Sequence, residues 1–185
     1  MEVDDISLMT LIKKGDAGAF ELLLSRHQRS VYNLAVRFLG DRDEAEDVTQ
    51  ETFFRIFKAA PTYTPDAKFT TWLYTIVKNL CFNVLRGRKS GQLVPMESEY
   101  LPELPTGDEG PIERIARAQT RDAVIRAVAR LPENMRMALI LNKYHDLQYD
   151  EIARIMGCTV NAVKLRMYRA RLILAKELAG LTGET

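Results

Sequence analysis

The segment from Leu93 to Pro111, LVPMESEYLPELPTGDEGP, carries four prolines, two glycines and five acidic residues. Proline fixes its own φ and pushes the preceding residue out of the helical region, so no regular helix should persist here. The stretch reads as an extended acidic linker between two domains. About ninety residues precede it and about seventy follow; a chain of this length holds one or two small domains with cores of their own.

Both flanks read as helical. Apolar residues recur at three- and four-residue spacing, and strand-like alternation is absent. The periodicity predicts helices over residues 5–14, 17–39, 41–59 and 69–89 before the linker, and over 113–130, 133–144, 148–156 and 160–177 after it. Gly40-Asp41, Ala60-Pro61, Pro132, the His145-Asp146 turn and Gly157 punctuate them. The expected fold class is all-α, with two small helical domains: 1–92, a linker over 93–112, and 113–185.

The net charge of +1 hides an asymmetry. Residues 1–92 hold 13 Lys/Arg against 12 Asp/Glu, residues 93–112 hold none against 5, and residues 113–185 hold 13 against 8. The front is neutral, the middle acidic and the back basic. No apolar run approaches the length that spans a bilayer, and MEVDDISLMT lacks a signal-peptide pattern, so a cytoplasmic location without membrane insertion is expected. Cys81 and Cys158 stand far apart and read as reduced thiols; with His27 and His145 they form no recognised metal-ligand spacing. No metal or other cofactor is expected. No nucleophile–base pair or phosphate loop is visible either, which argues against an enzyme and a small-molecule substrate.

The last two predicted helices carry the strongest motif. Ile152, Ala153 and Met156 give a short helix an apolar stripe, with a small residue where a second helix must touch it. Gly157 then accepts a left-handed turn. This is the pattern of a helix-turn-helix. Between Thr159 and Lys176 lie five basic side chains and no acidic one. At 100° per residue, Val163, Met167, Ala170 and Leu174 share the core face. Asn161, Leu165, Tyr168 and Arg169 lie opposite, flanked by Lys164, Arg166 and Arg171. Arg and Lys match guanine edges, Asn matches adenine, and Leu suits a thymine methyl, so this face fits a DNA major groove better than an idle solvated surface.

In the third predicted helix, Val48, Thr49, Phe53 and Ile56 form the buried side. Asp47, Gln50, Glu51, Phe54 and Lys58 fall opposite. An exposed Phe among acids fits a protein partner or, equally, packing within its own bundle. In the fourth, Leu73, Val77, Leu80 and Val84 form the core stripe. Trp72, Thr75, Asn79, Asn83 and Arg86 form a second stripe, with Lys78, Arg88 and Lys89 nearby. Aromatic, amide and basic groups interleaved on one face suit single-stranded nucleic acid, although a lone Trp also suits a core.

GDRDEAEDVTQETFFRIFKA, FTTWLYTIVKN, the acidic linker and YDEIARIMGCTVNAVKLRMYRAR, in this order, resemble an extracytoplasmic-function (ECF, group IV) sigma factor of bacterial RNA polymerase, of the sigma-70 family. The resemblance covers nearly the whole chain. It implies a region-2 bundle in front, whose third helix binds the clamp helices of the largest polymerase subunit through Asp47, Gln50, Glu51 and Phe54. It implies that the fourth helix and the loop PTYTPDAK melt the −10 element and hold a flipped base, with Phe69, Trp72 and Asn79 at matching positions. It implies a region-4 domain that reads the −35 duplex through Lys164, Leu165, Arg166 and Arg169 and touches the flap of the second-largest subunit. A cognate anti-sigma factor is a further expected partner. Leu165 stands where members often carry Ser, so the −35 sequence does not carry over.

Two other classes compete. A dimeric helix-turn-helix operator-binding regulator would need two-fold related half-sites, yet no dimerisation heptad is visible. A pure protein adaptor would leave the basic helix and the Trp72 stripe without a partner.

Overall fold

A computed structural model describes residues 3–88 and 111–179, with side chains over 3–88 and 120–179. The linker expected over 93–112, and Lys89 near the α4 stripe, lie outside the described residues, apart from the helix start noted next. Eight α-helices are described: α1 (Asp5–Lys13), α2 (Ala17–Leu39), α3 (Arg42–Ala59), α4 (Phe69–Arg88), α5 (Pro111–Ala129), α6 (Glu133–Tyr144), α7 (Tyr149–Met156) and α8 (Val160–Leu178), with a single 3-10 turn at Ala60–Thr62. The all-α expectation holds among the described residues. α5 starts at Pro111, two residues before its expected start, because proline is preorganised for the first turn of a helix.

Local chemistry sets the boundaries. The carboxylates of Asp4, Asp16 and Asp41 accept hydrogen bonds from the backbone N–H groups of Ser7 (2.8 Å), Ala19 (3.0 Å) and Glu44 (2.9 Å), satisfying donors that a helix start leaves open. Thr159 Oγ1 does the same for Ala162 at 3.2 Å at the start of α8. α7 begins with a reciprocal capping box between Gln148 and Glu151. It ends at Gly157, whose φ of 61° lies in the left-handed region.

The front body packs α1, α2, α3 and α4 around Leu8, Leu23, Leu34, Phe38, Ile56 and Leu73, all at most 2 % exposed. Each such side chain contributes about 1.5–3 kcal/mol of burial free energy. The back body packs α5, α6, α7 and α8 around Met137, Ile140, Ile152 and Val163, each fully buried. Ile155 belongs to this core as well, 1 % exposed, which the stripe of Ile152, Ala153 and Met156 did not include.

The two bodies touch. α4 packs on α7 and α2 on α6, and buried side chains of both bodies join in one continuous cluster. Two arginines are buried at this junction. Arg136 lies over the Phe38 ring at 4.7 Å and donates to the Ala129 carbonyl at 2.9 Å. Arg37 lies over the Tyr144 ring at 4.4 Å and donates to the Asn33 carbonyl at 3.2 Å. An arginine tolerates such sites because its flat, weakly hydrated cation stacks on aromatic faces.

Candidate nucleic-acid interface

α8 presents its predicted reading face to solvent. Val163, Met167 and Ala170 are buried against the back body, which forces Asn161, Lys164, Leu165, Tyr168 and Arg169 outward. Leu165 is 48 % and Tyr168 60 % exposed, a high value for side chains of this size. Leu172 extends the same exposed side, which the sequence reading missed although it follows Tyr168 by four residues. Arg166 differs: it is half-buried, and Nη1 donates to Cys158 Sγ at 3.0 Å and approaches Met156 Sδ at 3.8 Å, so it reaches back to the turn. Arg171 donates to the Tyr149 hydroxyl at 3.3 Å and ties α8 to α7.

α4 offers a graded surface. Asn79, Asn83 and Arg86 are exposed, and Trp72, Thr75 and Lys78 are half-buried. Arg86 donates to the Asn83 side-chain oxygen. The Thr75 hydroxyl donates to the Thr71 carbonyl at 2.7 Å, within its own helix. Phe69 lies beneath this face, 3 % exposed, with ring centroids 5.3 Å from His27 and 5.8 Å from Trp72. Its burial gives it the part of a support for Trp72. Tyr63 adds a third ring, 4.8 Å from Trp72; its place in PTYTPDAK was the available signal. Its hydroxyl is buried without a hydrogen-bond partner among the described residues, and burial raises its pKa. Lys78 is desolvated where α4 meets the back body, which lowers its pKa.

α3 carries the third surface. Asp47, Gln50 and Phe54 are exposed and Glu51 is half-buried, ion-paired with Arg55 at 2.7 Å. Phe54 does not pack into its own bundle: it is 51 % exposed, with Lys58 Nζ 4.3 Å from its ring centroid. Phe57, 56 % exposed and edge-on to Phe20 at 5.3 Å, widens this apolar and acidic surface. The structure thus keeps the three predicted sets on three helices and does not merge them into one cleft.

Among the described residues no group of His, Cys, Asp and Glu is arranged to hold a metal, and no helix is long and apolar enough to cross a membrane. Cys81 is buried and its thiol pushed up to about 12, which makes it inert as a nucleophile.

Residues 23–91 match sigma-70 region 2, and residues 121–174 match sigma-70 region 4. The chain is 37% identical over 191 residues to the RNA polymerase sigma-H factor of Pseudomonas aeruginosa, covering 97% of this chain and 96% of that protein. It is 35% identical over 176 residues to the ECF RNA polymerase sigma-E factor of Escherichia coli K12, covering 92% of each. Among solved structures, CnrH in complex with the cytosolic domain of CnrY superposes with a TM-score of 0.70 at 24% identity, over 97% of this chain and 99% of that one. The sigma factor RpoE in complex with the anti-sigma factor NepR from Bartonella quintana superposes with a TM-score of 0.67 at 23% identity, over 86% and 96%. At these identities the structural likeness concerns the fold alone.

Proposed function

Because the chain belongs to the ECF sigma factors of the sigma-70 family, which direct promoter-specific initiation by RNA polymerase, we propose a division of that task among its three exposed helix faces. α8 reads the −35 duplex through Asn161, Lys164, Leu165, Tyr168 and Arg169, with Arg166 positioning the turn that holds the helix. α4 engages the melted −10 strand through Trp72, Asn79, Asn83 and Arg86, aided by Thr75 and Lys78, with Phe69 as the ring on which Trp72 rests. α3 binds the clamp helices of the largest polymerase subunit through Asp47, Gln50, Glu51 and Phe54. The back body also touches the flap of the second-largest subunit. The domains run over 1–92 and 113–185, joined by the acidic linker 93–112, and the protein acts in the cytoplasm without catalysing a reaction itself.

The observation that carries this reading is that Asn79 and Asn83 on α4, and Lys164, Leu165 and Arg169 on α8, stand uncovered on separate bodies. One surface suits unpaired bases and the other a duplex groove. Tethering two weak grips raises the effective concentration of the second once the first has formed. A cognate anti-sigma factor fits the same plan, since the relatives include a sigma factor solved with one. Its contact surface is proposed to overlap the α3 and α8 faces.

Binding assays separate the parts. Labelled −10 non-template strand and −35 duplex should bind poorly to the free chain and tightly once core polymerase is added. Tight, sequence-specific duplex binding by the free chain would favour the operator-binding regulator instead.

A further inference from the structure

His27 occupies a core position of α2, 8 % exposed and in line with Leu23, Val31 and Leu34 at helical spacing. Its Nε2 lies 2.9 Å from Asp5 Oδ2, in the first turn of α1. The other Asp5 oxygen accepts from Arg26 Nη1 at 2.6 Å, and Arg26 Nη2 donates to the Val3 carbonyl at 3.0 Å. The imidazole also packs on the Phe69 ring, centroid to centroid at 5.3 Å. Phe69 meets Trp72 at 5.8 Å, and Trp72 meets Tyr63 at 4.8 Å. An unbroken series of contacts thus runs from α1 to the half-buried ring on the α4 face. α1 also packs on the turn Ala60–Thr62 that leads into Tyr63. Burial first, and the Asp5 charge second, raise the Tyr63 pKa, which places the same carboxylate beside this loop.

Fastening α1 to α2 does not require the histidine. Arg26 already bonds both Asp5 and Val3, and an aliphatic side chain at position 27 would fill the core without burying a polar ring. What the imidazole adds is direction. Hydrogen bonds are directional where apolar contacts are not, so the bond to Asp5 fixes the ring against which Phe69 packs. A base stacked on an aromatic side chain contributes about 1–3 kcal/mol. Such a contact needs its ring held within about 0.5 Å of the productive position, by packing and by supporting hydrogen bonds. Trp72 receives that support from Phe69 and Tyr63, and Phe69 receives it from His27.

We infer that Asp5 and His27 are positioning residues for strand capture: the hydrogen bond between them sets the Phe69 ring, which in turn sets Trp72 for a stacked base. The inference rests on the assignment of α4 as the −10 strand face. It adds a requirement on α1, a helix to which that assignment gives no contact with DNA or polymerase. Asp5 and His27 act through the rings and touch no base.

The test reads Trp72 directly, because it is the only tryptophan in the chain. His27→Phe keeps a ring against Phe69 but cannot bond Asp5, and Asp5→Ala removes the bond from the other side. In both full-length variants, with helical content unchanged, Trp72 emission should shift to the red and be quenched more readily by acrylamide. With core polymerase present, affinity for labelled single-stranded DNA of randomised sequence should fall about fivefold in each, the factor that one hydrogen bond's typical net contribution represents. Affinity for core itself should stay at the wild-type value. The double variant should bind no more weakly than the weaker single one, as two members of one series do. Asp5→Asn keeps a hydrogen-bonding group toward each partner and should retain wild-type emission and strand affinity. Unchanged emission and strand affinity in Asp5→Ala and His27→Phe overturns the inference. So does a parallel loss of core affinity and helical content, or additive losses in the double variant, since either marks a plain packing role. A wild type that captures no single strand with core refutes the −10 assignment, and Trp72 emission then still decides whether Asp5 and His27 hold the ring.

Discussion

Arg166 Nη1 donates to Cys158 Sγ across 3.0 Å, so a cation at the predicted reading position on α8 is spent on the turn that precedes the helix. The other reading-face cations, Lys164 and Arg169, are exposed. Arg169→Ala should therefore weaken −35 recognition by about 1–3 kcal/mol and relax the base preference at one position, if its contact is bidentate. Arg166→Ala should lower helix-turn-helix stability and affinity across all sequences alike. Binding to a randomised −35 library, together with thermal unfolding, distinguishes the two.

Phe54 and Asn79 should separate the two tasks of the front body. Phe54→Ala removes an exposed ring, so folding stability should change by no more than about 0.5 kcal/mol while affinity for core polymerase falls. Asn79→Ala should spare core binding and impair open-complex formation. Fluorescence titration with core, followed by permanganate probing of strand opening, reads each effect. A large loss of stability in either variant would mean that the residue serves the core.

The helical plan was legible because it depends on local chemistry. The apolar periodicity located every described helix to within a residue or two, and Asp41, Thr159 and Gly157 act at the boundaries they occupy. The faces of α3 and α8 followed from one rotation per 3.6 residues. What the sequence did not reveal depends on contacts distant along the chain. Ser30 and His145 stand 115 positions apart, and nothing local marks either as half of an interdomain contact. Phe69 and Trp72 read alike as aromatic contacts for a base, yet only packing against His27 and Tyr63 separates the buried support from the half-open ring.

Acid should loosen the junction. Burial, reinforced by the Arg37 cation, lowers His145 from its ordinary 6.5 to about 4, and the Asp146 carboxylate opposes this only in part. The other groups facing it are the neutral Tyr74 and Ser30 hydroxyls. The packed junction therefore binds fewer protons than a parted one would. Its stabilisation through His145 is complete above about pH 6.5 and is lost as pH falls toward about 4. Glu151 is held below its usual carboxylate range chiefly by its hydrogen bond with Lys68, so that contact outlasts the first part of the window. Scattering between pH 7.5 and 4.5 should show the wild type expanding on acidification, while His145→Asn lacks the component near its upper end.

Gly157 supplies a left-handed backbone conformation, with φ of 61°, at the turn between α7 and α8. A Cβ there would meet no atom within 4 Å, so the cost of Gly157→Ala is backbone strain alone. Chemical denaturation should give a loss of about 1–2 kcal/mol. Because α8 is aimed by this turn, −35 affinity should fall with it.

The most direct measurement is in vitro transcription by reconstituted bacterial core polymerase on a pool of genomic promoters, with and without the full chain. The account predicts discrete new transcripts that require the protein and disappear when Asn79 and Arg169 are both replaced by Ala. No transcripts from any template, or transcripts indifferent to that double replacement, would contradict it.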